Sequence, residues 1–277
     1  MEGICRDWWL NSRMLVAVVL TGWFSLAHAG DVELEVRDGL TASAKYSQGE
    51  PDLTVLMILH GFLQTADFST VSRLHASLAD AGMTVLSPTL SLGIDRRKQS
   101  LSCEAIHTHD LSQDVEEIAQ WVDWLQARHS KPVVLIGHSA GGLVVSRYLY
   151  EHAAENMAQG ILISLSHLQG EVKNEGAGPL GEYRLGFCQT YTSIPAAYRS
   201  YVEWDGEKVI QAIKRHDDRV AVILGSGDER IHARWRNMMA ENSIRIVNVQ
   251  GANHFFDNAH EFDLLEAVER LLADVGH

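Results

Sequence analysis

Residues 133–142, Val-Val-Leu-Ile-Gly-His-Ser-Ala-Gly-Gly, decide the fold of this chain. Four apolar residues predict a buried strand, and the residues just past Ser139 predict a helix that runs to about Ala154. Gly137 and Gly141 lie two positions on either side of Ser139, where side chains would collide in so tight a turn. The pattern is typical of a serine presented at the tip of a strand-to-helix turn. An ordinary strand-to-helix turn is the alternative. The presence or absence of partner residues elsewhere in the chain distinguishes the two.

The segments on both sides of this turn alternate between short apolar runs and stretches of helical period. This alternation predicts an α/β fold, a mostly parallel sheet with helices on both faces. Six inner strands are predicted at residues 54–59, 83–87, 133–136, 160–164, 220–224 and 244–249. Two more, 32–36 and 40–46, flank Arg37-Asp38-Gly39 and predict an antiparallel hairpin at the edge. The total is eight strands.

Two further segments have the apolar spacing of covering helices. One runs over residues 111–125, and Asp110 is positioned to cap its first turn. The other is the C-terminal helix, whose predicted apolar face carries four side chains. They are Phe262, Leu265, Val268 and Leu272.

Residues 167–219 interrupt the alternation, because they form a long connection rich in Gly and aromatic residues. Long insertions in compact domains are usually functional covers, so we predict a lid here and call residues 167–219 the lid segment. Phe187, Tyr191 and Tyr198 within it are candidates for lining an apolar acyl site, and packing inside the lid is the alternative.

A serine hydroxyl needs a base to become a nucleophile, and the base needs an orienting carboxylate. His254 follows the last predicted strand and Asp228 follows the strand before it. The carboxyl ends of parallel strands open onto one edge of the sheet, so we predict that Ser139, Asp228 and His254 meet there as catalytic residues. The competing histidines and acids are His138, His260, Glu229 and Asp257.

Acyl transfer also needs hydrogen-bond donors for the oxyanion of the tetrahedral intermediate. Leu59-His60-Gly61-Phe62 follows the first inner strand, where such a loop belongs. We predict that the backbone N–H groups of Phe62 and Ala140 form the oxyanion hole. His60 is expected to hold the loop rather than to transfer a proton.

These motifs together resemble the α/β-hydrolase superfamily from about Val32 to the C-terminus, most closely its serine esterase and lipase members. The resemblance implies an eight-stranded sheet with a lid after the sixth strand. Serine at position 139 disfavours the haloalkane dehalogenase and epoxide hydrolase branches, which have aspartate there. The His60-Gly61-Phe62 form of the oxyanion loop looks closer to small esterases, lipases and cofactor-free haloperoxidase-like members than to carboxylesterases with an HGGG loop.

The N-terminus predicts export. Arg13 precedes an apolar run at residues 14–26, which ends in Ala27-His28-Ala29. A charged start, a short apolar run and an A-x-A site are typical of a signal peptide, so we predict cleavage after Ala29 and a periplasmic or secreted protein without a stable membrane span. An uncleaved anchor is the alternative. Cys103 and Cys188 then remain as an even pair in an oxidising compartment, which favours a disulfide over two separate thiols.

Composition limits the partners. The chain has 277 residues, enough for one domain at 30–277, and a formal charge of -13. Its basic residues are scattered apart from Arg96-Arg97-Lys98, which we expect to be a solvated loop, with recognition of an anionic substrate group as the alternative. This composition argues against nucleic-acid binding. His107, His109 and Asp110 are too few for a metal site without further ligands, so neither a metal nor another cofactor is expected.

The function predicted from these residues is hydrolysis of a small-molecule ester or related acyl substrate through an acyl-enzyme on Ser139. Two alternatives stay open. One is an acyltransferase on the same residues, and the other is a non-catalytic binding protein with this fold.

Overall fold

The computed structural model describes residues 29–152, 157–176 and 178–273. The predicted signal peptide at 1–29 lies outside the described residues, except that Ala29 begins the first strand. Within the described residues, no helix combines the length and the apolarity that a membrane crossing requires.

The core of the protein is a mixed sheet of eight strands, as the sequence predicted. In chain order its strands are β1 (Ala29–Arg37), β2 (Leu40–Ser47), β3 (Val55–Leu59), β4 (Thr84–Thr89), β6 (Val133–His138), β7 (Met157–Ile163), β11 (Val220–Gly225) and β12 (Ile246–Val249). Their order in the sheet is β1-β2-β4-β3-β6-β7-β11-β12. Only β2 runs against its neighbours β1 and β4, and all other pairs in this sheet are parallel.

Seven described helices accompany the strands. They are α1 (Ser69–Asp80), α2 (Leu111–Gln126), α3 (Ala140–Glu151), α4 (Pro195–Val202), α5 (Gly206–Lys214), α6 (Ala233–Glu241) and α7 (His260–Ala273). Asp110 caps α2 as predicted, because its carboxylate accepts a hydrogen bond from the Gln113 N–H at 2.9 Å. The predicted end of α3 near Ala154 falls outside the described residues.

Helices cover both faces of the inner strands. Successive side chains of a strand point to opposite faces, so both sets are buried. In β3, Leu56 and Ile58 pack with α1 and α7, whereas Val55, Met57 and Leu59 pack on the side of α2, α3, α5 and α6. Each continuous apolar run therefore contributes side chains to the hydrophobic cores on both faces of the sheet. This explains why these strands do not alternate between apolar and polar residues.

Phe262 was wrongly predicted to lie on the apolar face of the C-terminal helix. It is 68% exposed, whereas Val268 and Leu272 of the same helix are buried. The buried face of α7 is centred on Leu264, Val268 and Leu271, and because an α-helix has about 3.6 residues per turn, Phe262 lies on the opposite side of the helix from Leu264.

The lid segment contains more regular structure than a loop. Its strands β8 (Gly170–Asn174), β9 (Gly181–Leu185) and β10 (Cys188–Ser193) form a second sheet with β5 (Ile106–His107), in the order β5-β10-β9-β8. Its second half holds α4 and α5, and α5 packs against α3 in the helical layer of the main sheet.

A disulfide joins Cys103, just before β5, to Cys188 at the start of β10. Cys188 is fully buried. The bond therefore ties the second sheet to the loop that precedes α2.

We expect the Cys103→Ser/Cys188→Ser double variant to lose about 4 kcal/mol of unfolding free energy, because the bond closes a loop with a sequence separation of 85 residues. Urea unfolding at neutral pH measures the loss. Wild-type protein in a strong reductant should fall to the stability of the variant, and the variant should not respond to reductant. Equal unfolding free energies with and without the bond would contradict this account.

Candidate active site

Ser139 lies at the tip of a strained turn between β6 and α3. Its backbone has φ 55° and ψ -121°, a conformation that costs energy for any residue with a Cβ. A Cβ at Gly137 would lie 2.6 Å from the carbonyl carbon of Gly141, and one at Gly141 would lie 2.5 Å from the carbonyl oxygen of His60. Both contacts are with backbone atoms that cannot move aside, so glycine is required on each side of the serine.

His254 lies within hydrogen-bonding distance of the serine. Its Nε2 is 2.9 Å from the Ser139 Oγ, although the two residues are 115 positions apart. The backbone carbonyl of His254 accepts two hydrogen bonds at 3.0 Å, from His138 Nε2 and from the Ser164 hydroxyl. These two donors fix the loop after β12, so the imidazole faces the serine.

Asp228 completes a chain of hydrogen bonds. His254 Nδ1 donates to its Oδ2 at 2.9 Å, and the Arg230 N–H donates to its Oδ1 at 3.0 Å. Burial raises the pKa of Asp228, but the hydrogen bond from His254, the charge of His254 and the Arg230 N–H outweigh burial and hold the pKa below its ordinary value. The carboxylate is therefore ionised and orients the imidazole.

The competing residues make other contacts, and only His138 lies beside His254, where it bonds to the backbone carbonyl. Burial, followed by the charge of His254, lowers the pKa of His138 to about 4, which keeps its ring neutral. His260 instead pairs with Asp263 on α7. Asp257 accepts a hydrogen bond from the Asn253 amide, and Glu229 is exposed. The structure thus brings Ser139, His254 and Asp228 together, and none of the four competitors in the described part of the chain hydrogen-bonds to the Ser139 hydroxyl or to the His254 ring.

The two predicted oxyanion donors have free N–H groups. Ala140 begins α3, so its N–H has no acceptor within the helix. The Phe62 N–H hydrogen-bonds to no residue in the described part of the chain. The Phe62 ring is held by Phe187, Tyr191 and Tyr201, with ring centroids 5.6 to 6.0 Å away.

His60 holds the loop that carries Phe62. Its Nδ1 donates to the Gly61 carbonyl at 2.8 Å, and its Nε2 accepts from the Leu90 N–H at 3.1 Å. Burial and then the charge of Arg97 lower the pKa of His60 to about 3, so the ring stays neutral. Arg97 donates to the carbonyls of Leu90 and Gln64 at 2.7 Å each and braces the same loop.

Sequence reasoning missed two buried carboxyl groups behind this loop. Asp114 accepts a hydrogen bond from the Tyr201 hydroxyl, and Glu117 accepts two from Ser91, at 2.7 and 2.8 Å. Burial raises the pKa of each to about 7. In the sequence of α2, both carboxyl groups occupy positions that look like the polar face of an amphipathic helix. Only their contacts with residues far along the chain show that they are buried.

A cleft of about 310 Å³ opens at Ser139 and His254. Leu168 and Phe187 of the lid segment form one apolar wall, and Trp235 of α6 forms another. The indole N–H of Trp235 donates to the Leu165 carbonyl at 2.8 Å, which fixes that wall. Of the three aromatic candidates for the acyl site, Phe187 lines the cleft, whereas Tyr191 and Tyr198 are buried and do not line it.

The histidine pair weighed for metal binding packs against aromatic rings. His107 stacks on Tyr191 with ring centroids 4.3 Å apart, and His109 meets the edge of Tyr201 at 5.9 Å. Across residues 29–152, 157–176 and 178–273, no three His, Cys, Asp or Glu residues cluster closely enough to hold a metal ion.

Comparisons with known proteins agree on the fold. The model of the alpha/beta hydrolase family matches residues 55–263. Est1E from Butyrivibrio proteoclasticus has a similar structure, with a TM-score of 0.68 and 17% identity, over 89% of this chain and 98% of that chain. The esterase domain of a Rhodothermus marinus protein has a TM-score of 0.60 and 14% identity, over 87% and 96%. A thioesterase domain from the curacin biosynthetic pathway has a TM-score of 0.59 and 14% identity, over 89% and 99%. No curated protein matches the chain in sequence.

The buried carboxyl group of Asp114 makes stability depend on pH. The folded protein holds its proton up to a pKa of about 7, whereas the unfolded chain releases it near pH 4, so its contribution is complete below about pH 4 and is lost as the pH rises through about 7. Asp114→Asn stays neutral and keeps an oxygen for Tyr201. We expect this variant to be about 2 kcal/mol more stable than wild type at pH 8.

Urea unfolding between pH 4 and pH 8 measures this difference, which should shrink towards pH 4. The exposed carboxylate of Asp80 offers a matched control, because Asp80→Asn should follow the wild-type profile. If Asp114→Asn followed it as well, Asp114 would not be held protonated.

Proposed function

The chain belongs to the α/β hydrolase family, and from that premise we propose that it is a serine hydrolase that cleaves a carboxylic ester or a related acyl bond. The observation that carries the proposal is the continuous chain of hydrogen bonds from Ser139 through His254 to Asp228, with 2.9 Å at each step. This arrangement can make a hydroxyl nucleophilic without any metal.

The first half of the proposed reaction forms an acyl-enzyme. Ser139 Oγ attacks the carbonyl carbon while His254 Nε2 takes the hydroxyl proton, and Asp228 stabilises the imidazolium. The carbonyl oxygen becomes an oxyanion that the N–H groups of Phe62 and Ala140 bind. When the tetrahedral intermediate collapses, His254 returns the proton to the departing alcohol oxygen.

The second half releases the acid. Water enters the cleft, His254 removes one of its protons, and the resulting hydroxide attacks the acyl carbon. The bond to Ser139 Oγ breaks, and the serine recovers its proton from His254. An alcohol in place of this water would give acyl transfer, which product analysis with added alcohols distinguishes from hydrolysis.

We further propose that the mature protein is exported and that the first half of the lid segment covers the cleft. Export is supported by the Cys103–Cys188 disulfide, since such bonds persist in oxidising compartments, and by the signal-like residues 1–29. The covering role is supported by Leu168 and Phe187, which line the cleft beside Ser139.

Ser139→Ala tests the nucleophile. Hydrolysis of short 4-nitrophenyl esters should fall at least about 10³-fold, because the oxyanion donors remain but no acyl-enzyme can form. A fluorophosphonate should label the wild-type protein and leave the variant unlabelled, and Ser100→Ala at an exposed serine should behave as wild type. Full esterase activity in Ser139→Ala would exclude the proposed nucleophile, and an unlabelled wild type would favour a binding protein.

Asp228→Asn tests the acid. We expect kcat to fall about 10²-fold to 10⁴-fold with a smaller change in KM, because the amide no longer stabilises the imidazolium. Asp257→Asn should retain wild-type kcat, since this carboxylate contacts Asn253 and not His254. A large loss in Asp257→Asn with little loss in Asp228→Asn would reassign the acid.

A further inference from the structure

The lining of the cleft differs in charge from the rest of the protein. The chain carries 36 acidic residues against 23 basic ones, yet no Asp or Glu is among the described residues that line the cleft. Arg184 and Arg230 line it, together with neutral amides such as Gln169 and Gln189. A cleft with charges of one sign concentrates ligands of the opposite sign, so this one attracts anions.

Arg230 is exposed, and it follows the acid Asp228 by two residues. Its backbone N–H is anchored to Asp228, and its guanidinium carbon lies 5.0 Å from the centroid of the Phe255 ring, next to His254 in sequence. No carboxylate in the described part of the chain pairs with this guanidinium. The guanidinium therefore belongs to the same cleft lining as Ser139 and His254, and no described acidic side chain competes with a ligand for it.

Arg184, on β9 of the lid segment, adds a second positive charge that an acidic side chain partly neutralises. Its guanidinium lies 3.6 Å from Glu171, and the two side chains are 51% and 65% exposed. Ion pairs this exposed contribute little energy, so a ligand can compete for Arg184.

The remaining walls of the cleft are apolar. Phe62, Leu168, Phe187, Ile231 and Trp235 contribute them. A substrate that matches this lining has an apolar body and an anionic group.

We propose that the cleft selects acyl substrates that carry a carboxylate, which Arg230 binds while the ester carbonyl lies at Ser139. A guanidinium forms paired hydrogen bonds with a carboxylate, and such charged bonds correspond to about 10-fold to 100-fold in affinity. The proposal rests on the proposed hydrolase function and adds the chemical class of the substrate.

Matched pairs of esters, one with a carboxylate and one with a neutral group at the same position, test the selectivity. In the acyl arm, mono-4-nitrophenyl adipate is compared with 4-nitrophenyl hexanoate. In the leaving-group arm, 4-butyryloxybenzoate is compared with 4-butyryloxybenzamide. We expect wild-type kcat/KM to favour the anionic ester about 10-fold or more in at least one arm, and that arm identifies the side of the ester that Arg230 binds.

Three variants assign the effect to the Arg230 side chain. Arg230→Ala should bring the anionic-to-neutral ratio close to one, mainly through a higher KM for the anionic ester, and Arg230→Lys should restore part of it. Arg234→Ala removes an exposed arginine on α6 outside the cleft and should leave the ratio unchanged. A wild-type ratio of one or less in both arms, or a ratio that Arg230→Ala does not change, would overturn the proposal.

Binding measurements distinguish a failure of the proposed anion selection from a failure of the proposed hydrolase function. Calorimetry with Ser139→Ala gives the affinity for each ester without turnover, and the anionic ester should bind about 10-fold more tightly or better in the selective arm. Equal affinities in both pairs would refute anion selection even if wild type hydrolyses all four esters. Tighter anionic binding without hydrolysis or fluorophosphonate labelling would refute the hydrolase and uphold the anion site.

Discussion

The site depends on one steric constraint, the close approach of the turn at Ser139 to the backbone around it. A side chain at Gly137 or Gly141 would collide with backbone atoms, so the chain can turn there only with glycine. The turn holds Ser139 at φ 55°, and its hydroxyl lies in the cleft within 2.9 Å of His254. Because β6 lies between β3 and β7 near the centre of the sheet, the buried strands around it hold this strained conformation in place.

The parallel sheet then sets the positions of the partners. β3, β7, β11 and β12 all end at the edge where β6 ends, so the loops after them carry Phe62, Ser164, Asp228 and His254 to one place. Ser164 and His138 do not face the hydroxyl, yet both hold the carbonyl of His254. The positioning of the imidazole therefore depends on two strand ends besides its own.

The charge states of the ionisable groups around Ser139, His254 and Asp228 depend on how deeply each group is buried. Burial keeps His60 and His138 neutral, so neither competes with His254 for a proton. Deeper in the protein, burial favours the protonated forms of Asp114 and Glu117 behind the Phe62 loop. At the cleft, Arg230 places positive charge over the ring of Phe255. The chain is acidic overall, whereas the cleft lining contains two arginines and no Asp or Glu among the described residues.

The sequence by itself determined the α/β class and all eight strands of the main sheet. It also placed Asp228 and His254 directly after the last two of these strands and Ser139 after the fifth. These features follow from local patterns, namely apolar runs of strand length, helical periods and glycines at fixed spacing. The tertiary structure alone decided the second sheet in the lid segment, the exposure of Phe262 and the burial of Asp114, whose partner Tyr201 is 87 residues away. It also decided the approach of Arg230 to the cleft. Such features arise from contacts between distant segments, and a local pattern carries no information about which segment will cover a given side chain.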